Sequence, residues 1–204
     1  MNIILENAGK RYNREWIFRH FNYSFTTGRK YAITGFNGSG KSTLLQVIAG
    51  AIIHNEGKII YQSAQAVSAK ISEPFKYISL ATPYLELIEE MDPVEMLNFH
   101  ATFKPLIKPV NEMLTVAGLH NAAHKQVRYF SSGMKQRLKL AQAFFSNAPV
   151  LLLDEPTTNL DQEGVNLYNN LILNYCDNRL VIISSNTSQE YEFADECIKM
   201  EDYK

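Results

Sequence analysis

The run Gly35-Phe36-Asn37-Gly38-Ser39-Gly40-Lys41-Ser42 constrains this chain more than any other feature. A G-x-x-x-x-G-K-[ST] pattern has chemical sense only as a turn between a strand and a helix. Its glycines let the backbone wrap closely enough for successive N–H groups to point at one set of phosphate oxygens. The helix that follows adds the partial positive charge of its N-terminus. Both flanks fit: Tyr31-Ala32-Ile33 reads as a short strand, and Leu44, Leu45 and Ile48 fall on one face of a helix with Gly50 near its end. The expected nucleotide-binding residues are therefore Gly35, Asn37, Gly38, Ser39, Gly40, Lys41, Ser42 and Thr43. Lys41 would reach the β- and γ-phosphates of ATP, the Ser42 hydroxyl would hold Mg²⁺, and Thr43 would face the α-phosphate side.

The rest of the pattern predicts an α/β fold. Ile3-Ile4-Leu5, Ile17-Phe18, Phe21-Tyr23-Phe25, Ile59-Ile60-Tyr61 and Tyr77-Ile78-Ser79-Leu80 read as strands. From about Pro83 to Ala148 the character is helical, with Met134, Leu138, Ala141 and Phe145 on one helix face. Val150-Leu151-Leu152-Leu153 and Leu180-Val181-Ile182-Ile183 are continuous apolar runs, as in strands buried on both faces. Between them Val165, Tyr168, Leu171 and Tyr175 mark a helix, with Asp161 placed as its N-cap. Strand, helix and strand in that order imply a mainly parallel sheet. Asp154 closes the first run and Glu155 follows it. Beside a phosphate loop, Asp154 is expected to bind Mg²⁺ through water. Glu155 is placed to accept a proton from water attacking the γ-phosphate.

Composition narrows the class further. The chain has 204 residues, 46% of them hydrophobic, ample for a core and unlike disordered sequence. Twenty basic and 21 acidic side chains give a formal net charge of −1, so a nucleic-acid partner is not expected. The N-terminus lacks a basic region and meets an acid at Glu6, unlike a secretory signal. No apolar run approaches the ~18–20 residues that cross a bilayer. Cys176 and Cys197 are expected to be reduced, mostly buried thiols.

Phosphate loops are widespread, and a second motif selects among them. Phe130-Ser131-Ser132-Gly133-Met134-Lys135-Gln136-Arg137 resembles the LSGGQ signature of ABC ATPases, and Glu155-Pro156-Thr157-Thr158-Asn159-Leu160-Asp161 resembles that family's Walker B extension and D-loop. The order of motifs matches from about Asn2 to Met200. The resemblance implies a P-loop NTPase (RecA-like) core with an antiparallel β subdomain and an inserted α-helical subdomain. It makes residues 1–204 one ABC ATPase domain with the helical insert at about 84–148. It also implies head-to-tail pairing with a second ABC cassette, a homodimer in preference to a heterodimer. Ser131 and Gly133 of one copy would then touch the γ-phosphate held by the other, at a helix N-terminus. Tyr12 resembles the aromatic that stacks on adenine, although as an ordinary strand aromatic it needs no such role.

Two departures bear on turnover. The family's glutamine before the helical insert is missing from Tyr77-Ile78-Ser79-Leu80-Ala81-Thr82-Pro83-Tyr84, where Thr82 or Pro83 takes its place. Its histidine after the last core strand is replaced by Asn186, whose amide can donate a hydrogen bond but cannot become cationic. Binding should survive, and hydrolysis is the step exposed to loss. Glu86, Glu89, Glu90, Asp92 and Glu95 crowd one stretch. They read either as a solvated helical face or as a surface for a basic loop of a transmembrane permease subunit. The expected function is an ATP-hydrolysing subunit that powers transport through that permease, cytoplasmic and peripheral on the inner face of the membrane. The short length is similar to minimal exporter cassettes, including the cytochrome c biogenesis type. The alternatives are a soluble single-cassette ABC ATPase, such as the iron–sulfur assembly type, or a catalytically weak cassette paired with an active one.

Overall fold

The computed structural model describes residues 1–63 and 71–204. Its chain begins with a long hairpin, β1 (Asn2–Tyr12) and β2 (Glu15–Phe25), and β4 (Glu56–Gln62) adds to the other edge of β1, giving an antiparallel sheet in the order β2-β1-β4. The hairpin turns through Asn13 at φ 53°, a left-handed conformation that asparagine tolerates better than most side chains. A second sheet carries β3 (Lys30–Thr34), β5 (Ile78–Ala81), β6 (Val150–Asp154), β7 (Leu180–Ser184) and β8 (Glu196–Lys199), in the order β5-β6-β7-β3-β8 with parallel pairing throughout.

Every residue of β6 and β7 is buried, as their unbroken apolar runs predict. The pleat deals their side chains to two cores. Val150 and Leu152 join Ile3, Phe18, Phe21, Phe25, Leu44 and Ile182 between the two sheets. Leu151 and Leu153 face the other way, into Leu138, Phe144, Tyr168, Leu171 and Ile183. The first core holds α1 (Lys41–Ile48) and the second holds α4 (Ser132–Phe145) and α5 (Gln162–Tyr175). Asp161 caps α5 as expected, its carboxylate accepting from the Gly164 N–H at 2.9 Å. The shorter α2 (Pro93–Ala101) and α3 (Val110–Val116) pack against the second core.

Two expectations need correction. The acidic stretch is not one helical face, because α2 begins only at Pro93 and residues 83–92 run irregularly. Asp92 and Glu95 form the capping box of α2, while Glu89 pairs with Lys135 and Glu90 with Arg128, so much of that charge is bound within the chain. The two thiols also differ. Cys176 is buried, and its burial pushes the thiol up to about 11, whereas Cys197 is exposed because β8 is the edge strand.

The phosphate-loop side of the sheet stays in register because its far end is tied. Arg179, only 9% exposed, donates to the Phe144 carbonyl at the end of α4 and to Ser79 Oγ on β5, both at 2.8 Å. A cation at a helix C-terminus is favoured by the aligned peptide dipoles, which offsets part of its burial cost. Arg179→Met should remove about 3 kcal/mol of stability by leaving these acceptors unpaired, read as a lower urea midpoint at unchanged m-value.

Candidate nucleotide-binding site

The phosphate loop leaves β3 at Thr34 and enters α1 at Lys41. Three of its glycines have backbone conformations that side chains resist, Gly35 at φ 146°, Gly38 at φ 83° and Gly40 at φ 104°. At Gly40 the restriction is also steric, since an added Cβ would lie 2.5 Å from Ile17 Cγ2. Gly40 is the N-cap of α1, and no side chain caps the helix or places an acid in its first turn. Helices α2, α4 and α5 are all capped by a side-chain oxygen. The first-turn N–H groups of α1 are thus left for an anion, with the helix dipole behind them.

Lys41 is 5% exposed, and its ammonium donates to the Gly35 carbonyl at 2.8 Å and the Phe36 carbonyl at 3.2 Å. Burial lowers its pKa from the ordinary lysine value, opposed by the nearby carboxylates of Glu155, Asp154 and Glu201. A buried cation whose hydrogen bonds go to neutral carbonyls gains strongly from an arriving phosphate. Around it lies a cleft of about 340 Å³ lined by Ile17, Asn37, Gly38, Gly40, Lys41, Ser42, Thr43, Tyr84 and Glu155. Ser39 is fully buried beneath the loop.

Strand β6 delivers the acids. Asp154 is 2% exposed and accepts a hydrogen bond from the Ser184 hydroxyl. Glu155 turns left-handed at φ 42°, and its N–H donates to the Ser184 carbonyl at 2.8 Å. This turn places Glu155 in the cleft wall facing the loop. Ser42 and Asp154 supply hydroxyl and carboxylate oxygens, the donor chemistry that Mg²⁺ prefers. Asn186 lies just beyond β7, and its amide donates to Asn37 Oδ1 in the phosphate loop. A second cavity of about 270 Å³ opens beside the cleft and shares Asn37 and Glu155 with it.

Not every expected residue gathers here. Tyr12 sits at the end of the β1–β2 hairpin, half-exposed, with the Lys10 ammonium 4.8 Å from its ring centroid and outside the cleft lining. Ser131 and Gly133 also lie outside it. Ser131 caps α4, accepting from Met134 N–H at 3.2 Å, and Gly133 packs so closely that an added Cβ would be 3.0 Å from the Asn159 carbonyl. Conversely, Ile17 and Tyr84 line the cleft without having been expected there, since no local motif marks a residue brought in from β2 or from the segment after β5. Neither Thr82 nor Pro83, the positions where the glutamine is missing, lines the cleft, whereas Tyr84 does.

A parallel α/β sheet with a lysine-bearing phosphate loop after β3 and paired acids at the end of β6 defines a P-loop nucleotide-binding protein. A profile of the ABC transporter family matches residues 18–158. The chain is 33% identical over 169 residues to the uncharacterized ABC transporter ATP-binding protein YybJ of Bacillus subtilis, covering 82% of this chain and 77% of that protein. It is 30% identical over 190 residues, 91% of each chain, to the cytochrome c biogenesis ATP-binding export protein CcmA of Mesorhizobium japonicum. Among solved structures it resembles the ATP-binding cassette MJ0796, a dimer in a post-hydrolysis state bound to ADP and Pi. The TM-score there is 0.81 at 24% identity, covering 97% of this chain and 93% of that one. The chain belongs to the ABC transporter family and is one of its ATP-binding ATPase cassettes.

Gly40→Ala should weaken ATP binding by roughly tenfold or more, since it adds left-handed strain of about 1–3 kcal/mol to the clash with Ile17. Titration with a fluorescent ATP analogue measures it, and unchanged affinity would contradict the cradle described here.

Proposed function

We propose that this cassette, residues 1–204 as one ATPase domain with a helical insert at about 84–148, hydrolyses Mg-ATP to drive a separate membrane permease. The observation that carries the reading is the placement of Lys41, Ser42 and Glu155 in the wall of one cleft, with the Ser131–Gly133 turn outside it. Ser131 and Gly133, expected at the γ-phosphate, would therefore come from a second cassette. A head-to-tail homodimer supplies them, bringing the N-terminal end of α4 from one copy over the phosphate loop of the other.

Within one copy, phosphate oxygens of ATP replace the Gly35 and Phe36 carbonyls as the partners of Lys41. Ser42 and Asp154 would hold Mg²⁺, which neutralises charge on the phosphates when bound. Glu155 accepts the proton of the attacking water, and Asn186 presents an amide donor where the family has a histidine. Association of the two cassettes excludes water from the site, and hydrolysis lets them part.

A groove of about 700 Å³ lies between residues 83–90 and Lys135 and Lys139 on α4. Its apolar walls, Leu85, Leu87 and Ile88, suit a short amphipathic element of the permease. Tyr84 lines this groove and the nucleotide cleft alike, a placement that would let the permease respond to the nucleotide. Among the described residues no helix is long and apolar enough to cross a membrane, in keeping with a cytoplasmic subunit held at the inner face by its permease.

The test of hydrolysis is Mg-ATP turnover over a protein concentration series. Wild-type turnover should rise more than linearly, Lys41→Ala should lose binding, and Glu155→Gln should bind ATP, dimerise and lose at least a hundredfold in rate. Turnover that survives Glu155→Gln would remove Glu155 from the role of base. The docking groove is probed best at Glu86, an exposed groove residue outside the ion pairs of Glu89 and Glu90. Glu86→Lys should reduce co-purification with the permease severalfold at unchanged ATP affinity, and full recovery of the permease would sink the groove assignment.

A further inference from the structure

Glu190 is a buried carboxylate, 3% exposed, in the short turn Ser188–Glu190 that follows β7. Among the described residues no cation pairs with it. Burying an unpaired acid is unfavourable, so the hydrogen bonds it makes must be geometrically specific. Its Oε1 accepts both the N–H of Thr157, at 2.8 Å, and the Thr157 hydroxyl. Its backbone carbonyl accepts the Tyr168 hydroxyl of α5 at 2.6 Å, which fixes the turn from behind.

These bonds join two segments that meet at the hydrolytic end of the cleft. Thr157 stands two residues after Glu155, whose left-handed φ of 42° must be held by its neighbours. Four residues before Glu190 is Asn186, bonded to Asn37 of the phosphate loop. Glu155, Thr157, Asn186 and Glu190 together wall the 270 Å³ cavity beside the cleft. Among the described residues both hydrogen-bond donors of Thr157, its N–H and its hydroxyl, go to Glu190, which is well placed to set the distance between Glu155 and Asn186.

We propose that Glu190 is a positioning residue for hydrolysis: by clasping Thr157 it locks the segment carrying Glu155 to the segment carrying Asn186. The proposal rests on the ATPase reading above. It concerns the alignment of the base and the amide donor, not capture of nucleotide, because neither Glu190 nor Thr157 lines the nucleotide cleft.

The test compares Glu190→Ala, Glu190→Gln, Thr157→Val and Thr157→Ser in the full chain. Turnover and ATP affinity are measured alongside amide hydrogen exchange in residues 155–160 and 185–190. Glu190→Ala and Thr157→Val should lower kcat roughly tenfold or more while ATP affinity stays within about twofold. Exchange in both segments should rise together, with the phosphate loop unaffected. Glu190→Gln, whose amide oxygen can accept the same two bonds, and Thr157→Ser should stay within about threefold of wild type. Should Glu190→Ala fail to fold, the nearly isosteric Thr157→Val decides. Equal losses in kcat and affinity, or a Thr157→Val protein like wild type, would overturn the clasp. So would a Glu190→Gln protein as impaired as the alanine variant, because the charge and not the bonds would then be at work. A wild-type chain without turnover would count against the ATPase reading alone, and exchange in the two segments would still decide the clasp.

Discussion

The site depends on the register of one central strand. β7 lies between β6 and β3, and its last residue, Ser184, is aligned with Asp154 on one side and Ile33 on the other. Its hydroxyl donates to the Asp154 carboxylate, its carbonyl accepts the Glu155 N–H, and the next N–H, that of Ser185, donates to the Ile33 carbonyl. A slip of one residue in either pairing would separate the phosphate loop from its acids and turn every apolar side chain of β7 to the wrong core. The dense packing of Leu180 to Ile183 on both faces excludes that slip.

The same register explains how one sheet can be rigid at one end and reactive at the other. Near the strand starts, Arg179 ties α4 and β5 through buried hydrogen bonds. At the strand ends the chain leaves the sheet through tight or polar turns: the phosphate loop after β3, the strained Glu155 at φ 42°, and the Asn186 turn bonded to the loop. Local strain of this kind persists only where surrounding structure over-determines it. Here the buried strand ends, the Ser184 bonds and the Glu190 clasp provide that support.

The substitution of asparagine for histidine has a local logic. An amide pairs with the Asn37 side chain as one neutral group with another, so the contact between loop and turn needs no protonation near neutral pH. A histidine could add positive charge at the γ-phosphate. Under the proposed reading Asn186 would supply only a hydrogen bond, and more of the work would fall on Lys41 and on the residues brought by a second cassette.

Much of this was legible in the sequence because the decisive signals are local. The phosphate loop needs glycine at fixed spacing, a strand before it and a helix after it. Continuous apolar runs mark strands covered on both faces, and Asp161 announces its helix by its own side chain. These properties depend on residues within a few positions of one another. The acidic stretch misled for the complementary reason: spacing shows charge but not the lysine and arginine across the fold that neutralise Glu89 and Glu90. The expectation of a buried Cys197 fails because nothing local says that β8 is an edge. Ile17 and Tyr84 entered the cleft, and Glu190 came to Thr157, through chain crossings that only packing decides. The sequence by itself determined the strand, loop and helix that bind phosphate and the acids that accompany them. The tertiary structure decided which distant side chains surround those elements, since non-local contacts are set by strand order and core packing and leave no periodic mark along the chain.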